Sequence, residues 1–183
     1  MSSKVFVWDL PVRVFHWSLA LAFGGAYVFG ESERWRSIHV ALGYAVLGLI
    51  AMRILWGFIG THYARFSSFA FSPAAALRYL KDLVGDRVQR HVGHNPAGSG
   101  AIFGLLILGL GTCVSGWLRF EEIGGESLED VHEVFANLWL VLVVVHVIGV
   151  IVSGILHREN LARALVTGYK RGDVALPRDK DED

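Results

Sequence analysis

His132 and His146 stand fourteen residues apart in a stretch that carries no formal charge from Val134 to His157. Fourteen helical residues advance about 21 Å and bring a side chain back to within about 40° of its starting direction. The two imidazoles therefore share one face at two depths, near opposite sides of a hydrocarbon core about 30 Å thick. Ionisable groups at such depth are costly to bury and mark functional sites with partners. The spacing suits two metal centres stacked across a membrane, one imidazole to each.

Two further histidines match these levels. His16 lies near the inner start of the first apolar stretch, about 21 Å below the outer end of that stretch at Gly30. His39 lies just inside the outer start of the second stretch, the level at which His132 opens the last one. The expectation is an outer pair, His39 with His132, and an inner pair, His16 with His146. His157 shares the face of His146 to within about 20°, but it falls nearly 38 Å below His132, beyond the core. It reads as interfacial, beside Arg158 and Glu159. His62, His91 and His94 lie at or outside helix ends on the inner side and read as solvated.

The elements that must position these groups are helices. The chain has 183 residues, 53% of them hydrophobic, with six Trp and a mean hydropathy of +0.44. That is a membrane composition. Four stretches are long enough to span, at about 11–30, 37–60, 96–118 and 131–157. The fold class expected is all-α, an integral-membrane four-helix bundle forming one domain over residues 1–183, with a tail at 158–183. Asp9 is expected to cap the first helix with Pro11 in its first turn, and Asn95 with Pro96 to start the third. A cleaved signal peptide is the competing reading of the first stretch, but no convincing small-residue cleavage site follows it. Pro73 to Gly85 reads as a short amphipathic helix, Leu77, Leu80 and Val84 against lipid and Arg78, Lys81 and Asp82 toward water.

Charge sets the orientation. Thr61 to Asn95 carries Arg65, Arg78, Lys81, Arg87 and Arg90 against Asp82 and Asp86. Arg119 to Glu133 holds one Arg against Glu121, Glu122, Glu126, Glu129, Asp130 and Glu133. Arg158, Arg163, Lys170 and Arg171 follow the last span. Positive residues near the spans put the second loop and both termini in the cytoplasm and the acidic connection outside.

Cys113 is the single cysteine and lies inside the third span, so it reads as a packing residue, with no disulfide or thiolate site. The C-x-x-C-H signature of covalent haem attachment is absent, so haem here would be b-type, held by axial ligands and packing. Two axial histidines leave iron no open position, which favours electron transfer. Gly43 shares the face of His39, and Gly149 follows His146 by three residues, where a flat macrocycle needs close backbone. Small residues are also the usual contacts between membrane helices. Arg13 and Arg53 on the inner side, and Arg36 and Arg119 on the outer, are candidates for binding haem propionates, with a role as topology charges the competing reading for all but Arg53. Arg53 interrupts an otherwise uncharged span; its alternative is to snorkel to the interface. Trp8, Trp17, Trp35, Trp56, Trp117 and Trp139 fall mostly near helix ends, the pattern of an aromatic belt, with Trp17 also able to pack on a haem edge.

An ordered set of motifs runs along nearly the whole chain. It comprises Val7-Trp8-Asp9-Leu10-Pro11 with Arg13 and His16-Trp17, then Ile38-His39-Val40 with Gly43. Arg53, Trp56-Gly57-Phe58, Gly60 and Tyr63-Ala64-Arg65-Phe66 follow, then Gly93-His94-Asn95-Pro96. His132-Glu133, His146-Val147 and His157-Arg158-Glu159-Asn160-Leu161 with Ala164 and Thr167-Gly168 complete it. The set resembles the bacterial dihaem membrane cytochrome b family, which includes the cytochrome b subunit of nickel-iron hydrogenases and related small inner-membrane, quinone-linked cytochromes b. The resemblance implies that His16, His39, His132 and His146 bind two b haems. It also implies electron transfer between ubiquinone or menaquinone and a redox partner, a periplasmic c-type cytochrome or hydrogenase-like enzyme. The expected role is an electron carrier of the inner membrane, acting with its partner in quinone chemistry. A nucleophile with its base, a phosphate-cradling loop and a basic nucleic-acid stripe are all missing. Two other readings stand beside it. Paired intramembrane histidines could serve a divalent metal-ion transporter, though with two ligands per site and no third. The haems could also only anchor a partner complex.

Overall fold

The computed structural model describes residues 4–69, 72–84, 93–125 and 127–172, the helix side chains at 80 and 82–84 excepted. Arg87, Arg90, Asp86, Gly85, His91, Glu126, the side chains of Leu80, Asp82 and Val84, and the tail from residue 173 lie outside the described residues.

Four long helices match the four expected spans: α1 (Leu10–Phe29), α2 (Arg36–Ile59), and, past the short α3 (Pro73–Val84), α4 (Pro96–Phe120) and α5 (Ser127–Leu156). All four are long and apolar enough to cross a membrane. Their starts follow from local chemistry. The Asp9 carboxylate accepts the Val12 backbone N–H at 2.9 Å, and the Asn95 side chain accepts that of Gly98 at 2.6 Å, each with proline in the first turn. α5 has Glu129 and Asp130 in its first turn, where the helix dipole favours negative charge.

The helices form two hairpins. α1 packs along α2, α4 packs along α5, and α2 joins the hairpins by packing against α4. Val46 and Ile50 of α2, Ala22 of α1 and Trp139 of α5 make the buried centre. Leu21, Leu55, Ile107, Val145 and Ile155 are exposed. In water such faces would be costly; against acyl chains they are the favourable solvent contact. α3 lies on α4 with Tyr79 buried, while Leu77, Arg78 and Lys81 are exposed.

One element was not expected from the sequence. β1 (Lys4–Phe6) pairs antiparallel with β2 (Tyr169–Arg171), Val5 opposite Lys170, after the short helix α6 (Leu161–Thr167). Gly168, at φ +88°, turns the chain between them, and its carbonyl accepts the backbone N–H of Val7 and of Trp8. The ladder is too short for an alternating pattern to announce it. It fastens the two ends of the membrane domain together on one side of the bundle.

Candidate cofactor sites

The histidines expected to pair are brought together. The rings of His39 (α2) and His132 (α5) lie 6.1 Å apart between centroids, and those of His16 (α1) and His146 (α5) lie 6.4 Å apart. A direct N–H···N bond of about 2.9 Å would draw the centroids to about 5.1 Å. Two metal–imidazole bonds of about 2.0–2.1 Å, with ring radii of about 1.1 Å, give about 6.3 Å for collinear axial ligands. Both pairs have the second spacing.

The outer pair is also oriented. His39 Nδ1 lies 2.8 Å from the Ala26 carbonyl, and His132 Nδ1 lies 2.9 Å from that of Thr112. A carbonyl only accepts, so in each ring Nδ1 carries the proton and Nε2 keeps its electron pair. Such carbonyl anchors fix tautomer and ring direction for metal-binding imidazoles. His132 reaches its anchor because Gly116 has no side chain: a Cβ there would sit 2.7 Å from His132 Cε1.

Beside this pair is a cavity of about 640 Å³ lined by His39, His132, Gly43, Cys113, Phe23 and Trp139 among others. That is within the range of cofactor pockets, about 300–1,000 Å³. A Cβ built on Gly43, which lines this cavity, meets nothing within 4 Å, so a flat ring could approach the backbone there. Gly149 also meets nothing within 4 Å, but it lies on an exposed face of α5.

The inner site has a different electrostatic frame. Arg53 is buried on α2, fourteen residues from His39, hence on a similar face at the inner depth. One Nη donates to the Ala64 carbonyl at 3.1 Å, and the guanidinium lies 5.0 Å above the Phe66 ring. The other Nη is buried without an acceptor, as is Nε of Arg13, whose Nη2 donates to the Val166 carbonyl. Buried guanidinium N–H groups call for anionic oxygen. Arg53 therefore does not snorkel, and both arginines keep a buried N–H from which an anionic oxygen could accept. Arg119 pairs at 3.1 Å with Glu129, which lines the outer cavity, while Arg119 itself is not among the lining residues.

Two other expectations need correction. His94 is not a solvated histidine: it is enclosed by Phe69 at 4.2 Å and Trp8 at 4.8 Å between ring centroids. Burial, then the charges of Arg53 and Lys170, push its pKa down to about 3. Trp139 is not a belt residue, being 3% exposed at the middle of the bundle. His62 is exposed as expected, and Trp17 is partly exposed with its ring 5.5 Å from that of His16. Asp9 does more than cap α1, for its second oxygen accepts from Trp56 Nε1 at 2.9 Å and Thr61 Oγ1 at 2.6 Å. Burial alone would raise its pKa; these hydrogen bonds outweigh it and hold the carboxyl below its usual range.

Residues 7–168 match the sequence profile of the prokaryotic cytochrome b561 family. The chain belongs to that family. Similar proteins include the probable Ni/Fe-hydrogenase B-type cytochrome subunits of Rhodobacter capsulatus, 22% identical over 92% of this chain and 82% of the relative, and of Cupriavidus necator, 28% identical over 90% and 86%. The probable Ni/Fe-hydrogenase 1 B-type cytochrome subunit of Escherichia coli (strain K12) is 22% identical over 90% of each chain. No solved structure matches. A cytochrome b561 with four apolar helices is a multi-pass membrane protein that binds haem b and transfers electrons within the membrane.

Proposed function

We propose that this cytochrome b561 holds two b haems, one between His39 and His132 and one between His16 and His146, and conducts electrons across the bilayer. The observation that carries the reading is the pair of ring separations, 6.1 and 6.4 Å, at levels set by fourteen residues of α5. Iron in each haem supplies a one-electron couple. The four imidazoles would hold the groups, with the Ala26 and Thr112 carbonyls orienting the outer pair and the Arg13 and Arg53 guanidiniums available to anionic side groups at the inner site. Groups held between paired histidines would carry single electrons and leave oxygen chemistry aside. Among the described residues no group of three or more His, Cys, Asp or Glu could hold a bare metal ion, which weighs against the metal-transporter reading.

The named relatives are hydrogenase subunits, and by analogy the partner is a periplasmic oxidoreductase of hydrogenase type, with a c-type cytochrome as the competing donor. The membrane end of the path is the quinone pool, reached at the edge of one haem. Positive residues on the loops and tail support termini on the cytoplasmic side of an inner membrane.

The test is haem quantification by pyridine haemochrome with a reduced-minus-oxidised spectrum. The expected result is two low-spin b haems per chain, each removed by replacing its own histidine pair. One haem would show that one pairing is wrong. A haem-free protein from haem-replete cells would overturn the reading.

A further inference from the structure

The middle of the bundle carries a feature that neither imidazole pair uses. Trp139 follows His132 by seven residues and precedes His146 by seven. Seven helical residues are two turns, about 10.5 Å, and return to within about 20° of the same direction. Trp139 therefore stands halfway between the two sites on the face that both histidines share. On α1, Phe23 follows His16 by the same seven residues, and its ring lies 4.3 Å from that of Trp139 between centroids. Both rings also line the outer cavity.

The surroundings hold the indole in place. Ala22, Val46 and Ile50 pack with it in the buried centre. Gly109 clears its path on α4, for a Cβ there would come within 2.6 Å of Trp139 Cζ2. The indole N–H is buried with no hydrogen-bond partner. A residue needed only for apolar packing would be aliphatic or Phe, which buries no unpaired donor. Tryptophan adds an extended π-system in the gap between two redox levels, in contact with a second aromatic ring.

We infer that Trp139, with Phe23 against it, is the aromatic bridge through which the outer and inner centres exchange electrons. The inference rests on the two-haem reading above. The indole is neither oxidised nor reduced. One electron leaves the reduced centre and arrives at the oxidised one, with no proton moved and no bond made or broken. Trp139 is in this sense a positioning residue: its orbitals and packing couple two centres that it does not itself replace.

The experiment uses the full chain in liposomes, with wild type, W139F, W139L and F23L compared. Haem content and midpoint potentials are measured first, so that driving force and loading are matched. A membrane-impermeant photoreductant then reduces the outer centre in a laser flash, and transfer to the inner centre is followed in the visible bands. Single-site histidine variants supply the spectrum of each centre. With both haems retained, W139L is expected to slow the transfer several-fold, F23L less, and W139F least. Wild-type transfer rates in both W139L and F23L would overturn the bridge and leave Trp139 as packing. Should leucine at 139 fail to hold both groups, W139F and F23L decide by the same rates. A wild-type chain with fewer than two haems would fail at the first measurement, overturning the two-haem reading and the bridge with it.

Discussion

His132 depends on what is missing opposite it. Its ring rests against α4 where Gly116 leaves space, and only from there does Nδ1 reach the Thr112 carbonyl. A methyl at 116 would stand 2.7 Å from Cε1, so the ring must turn or the helices part. Gly116→Ala is expected to release the outer haem and keep the inner one, read as a fall from two haems to one per chain with the helices intact by circular dichroism. A second expectation concerns His94. Its folded pKa of about 3 lies below the ordinary imidazole value of 6.5, so between these values the unfolded chain binds more protons and stability falls as pH falls. The limiting slope is about 1.4 kcal/mol per pH unit for one proton. Above pH about 6.5 the group contributes no slope. Thermal unfolding of the wild type from pH 7 to 4 should show this decline, and His94→Phe, which can pack between Trp8 and Phe69, should flatten it. An unchanged pH profile in the variant would refute the assignment.

Asp9 joins three segments through one carboxylate: the start of α1, Trp56 near the end of α2, and Thr61 beyond it. Asp9→Ala removes a cap worth about 1 kcal/mol and strands the half-buried Trp56 N–H at about 1–3 kcal/mol, while the exposed Thr61 hydroxyl turns to water. Roughly 3 kcal/mol of destabilisation is expected, measured as a lowered unfolding midpoint in detergent, while Asp9→Asn, which keeps an acceptor, should lose less. The cap itself is readable from Asp9, Pro11 and the apolar run, as Asn95 and Pro96 announce α4. The four helices and the pairing of histidines by depth are equally legible, because helical rise and lipid thickness are fixed lengths. What encloses His94 is not legible: Trp8 and Phe69 come from separate segments, and a histidine one residue before a cap looks solvated. Gly116 escapes notice because α4 offers no ligand of its own, and its role exists only once α5 lies against it. Trp139 had a signal that tryptophan's preference for membrane interfaces hides. Its position midway between His132 and His146 assigns it to the centre by the same arithmetic that pairs the histidines.

The two hairpins and the terminal ladder together decide how the domain sits across its two levels. α1 and α5 supply the inner imidazoles, α2 and α5 the outer ones, so α5 is the rail common to both sites. α1 meets α5 at Trp139, which packs on Phe23 and Ala22, and at Asn137, whose side-chain oxygen accepts from the Tyr27 hydroxyl. The His16–His146 pair spans the same seam two turns away from Trp139. Closure of the seam at one end falls to the strands Lys4–Phe6 and Tyr169–Arg171, and to the Arg13 contact with the Val166 carbonyl. The ladder therefore fixes the spacing of α1 from the end of α5 at the inner site. Gly168 is its pivot: at φ +88° a side chain is strained, and a Cβ would stand 2.8 Å from the Trp8 carbonyl oxygen. Gly168→Val should loosen the clamp and weaken haem retention at the His16–His146 site while sparing His39–His132, because the outer pair is anchored to carbonyls on α1 and α4 far from the ladder. Haem loss on dilution into apomyoglobin, resolved by the spectrum of each site, would test this. Equal loss from both sites would mean that the ladder stabilises the bundle as a unit and holds neither level in particular.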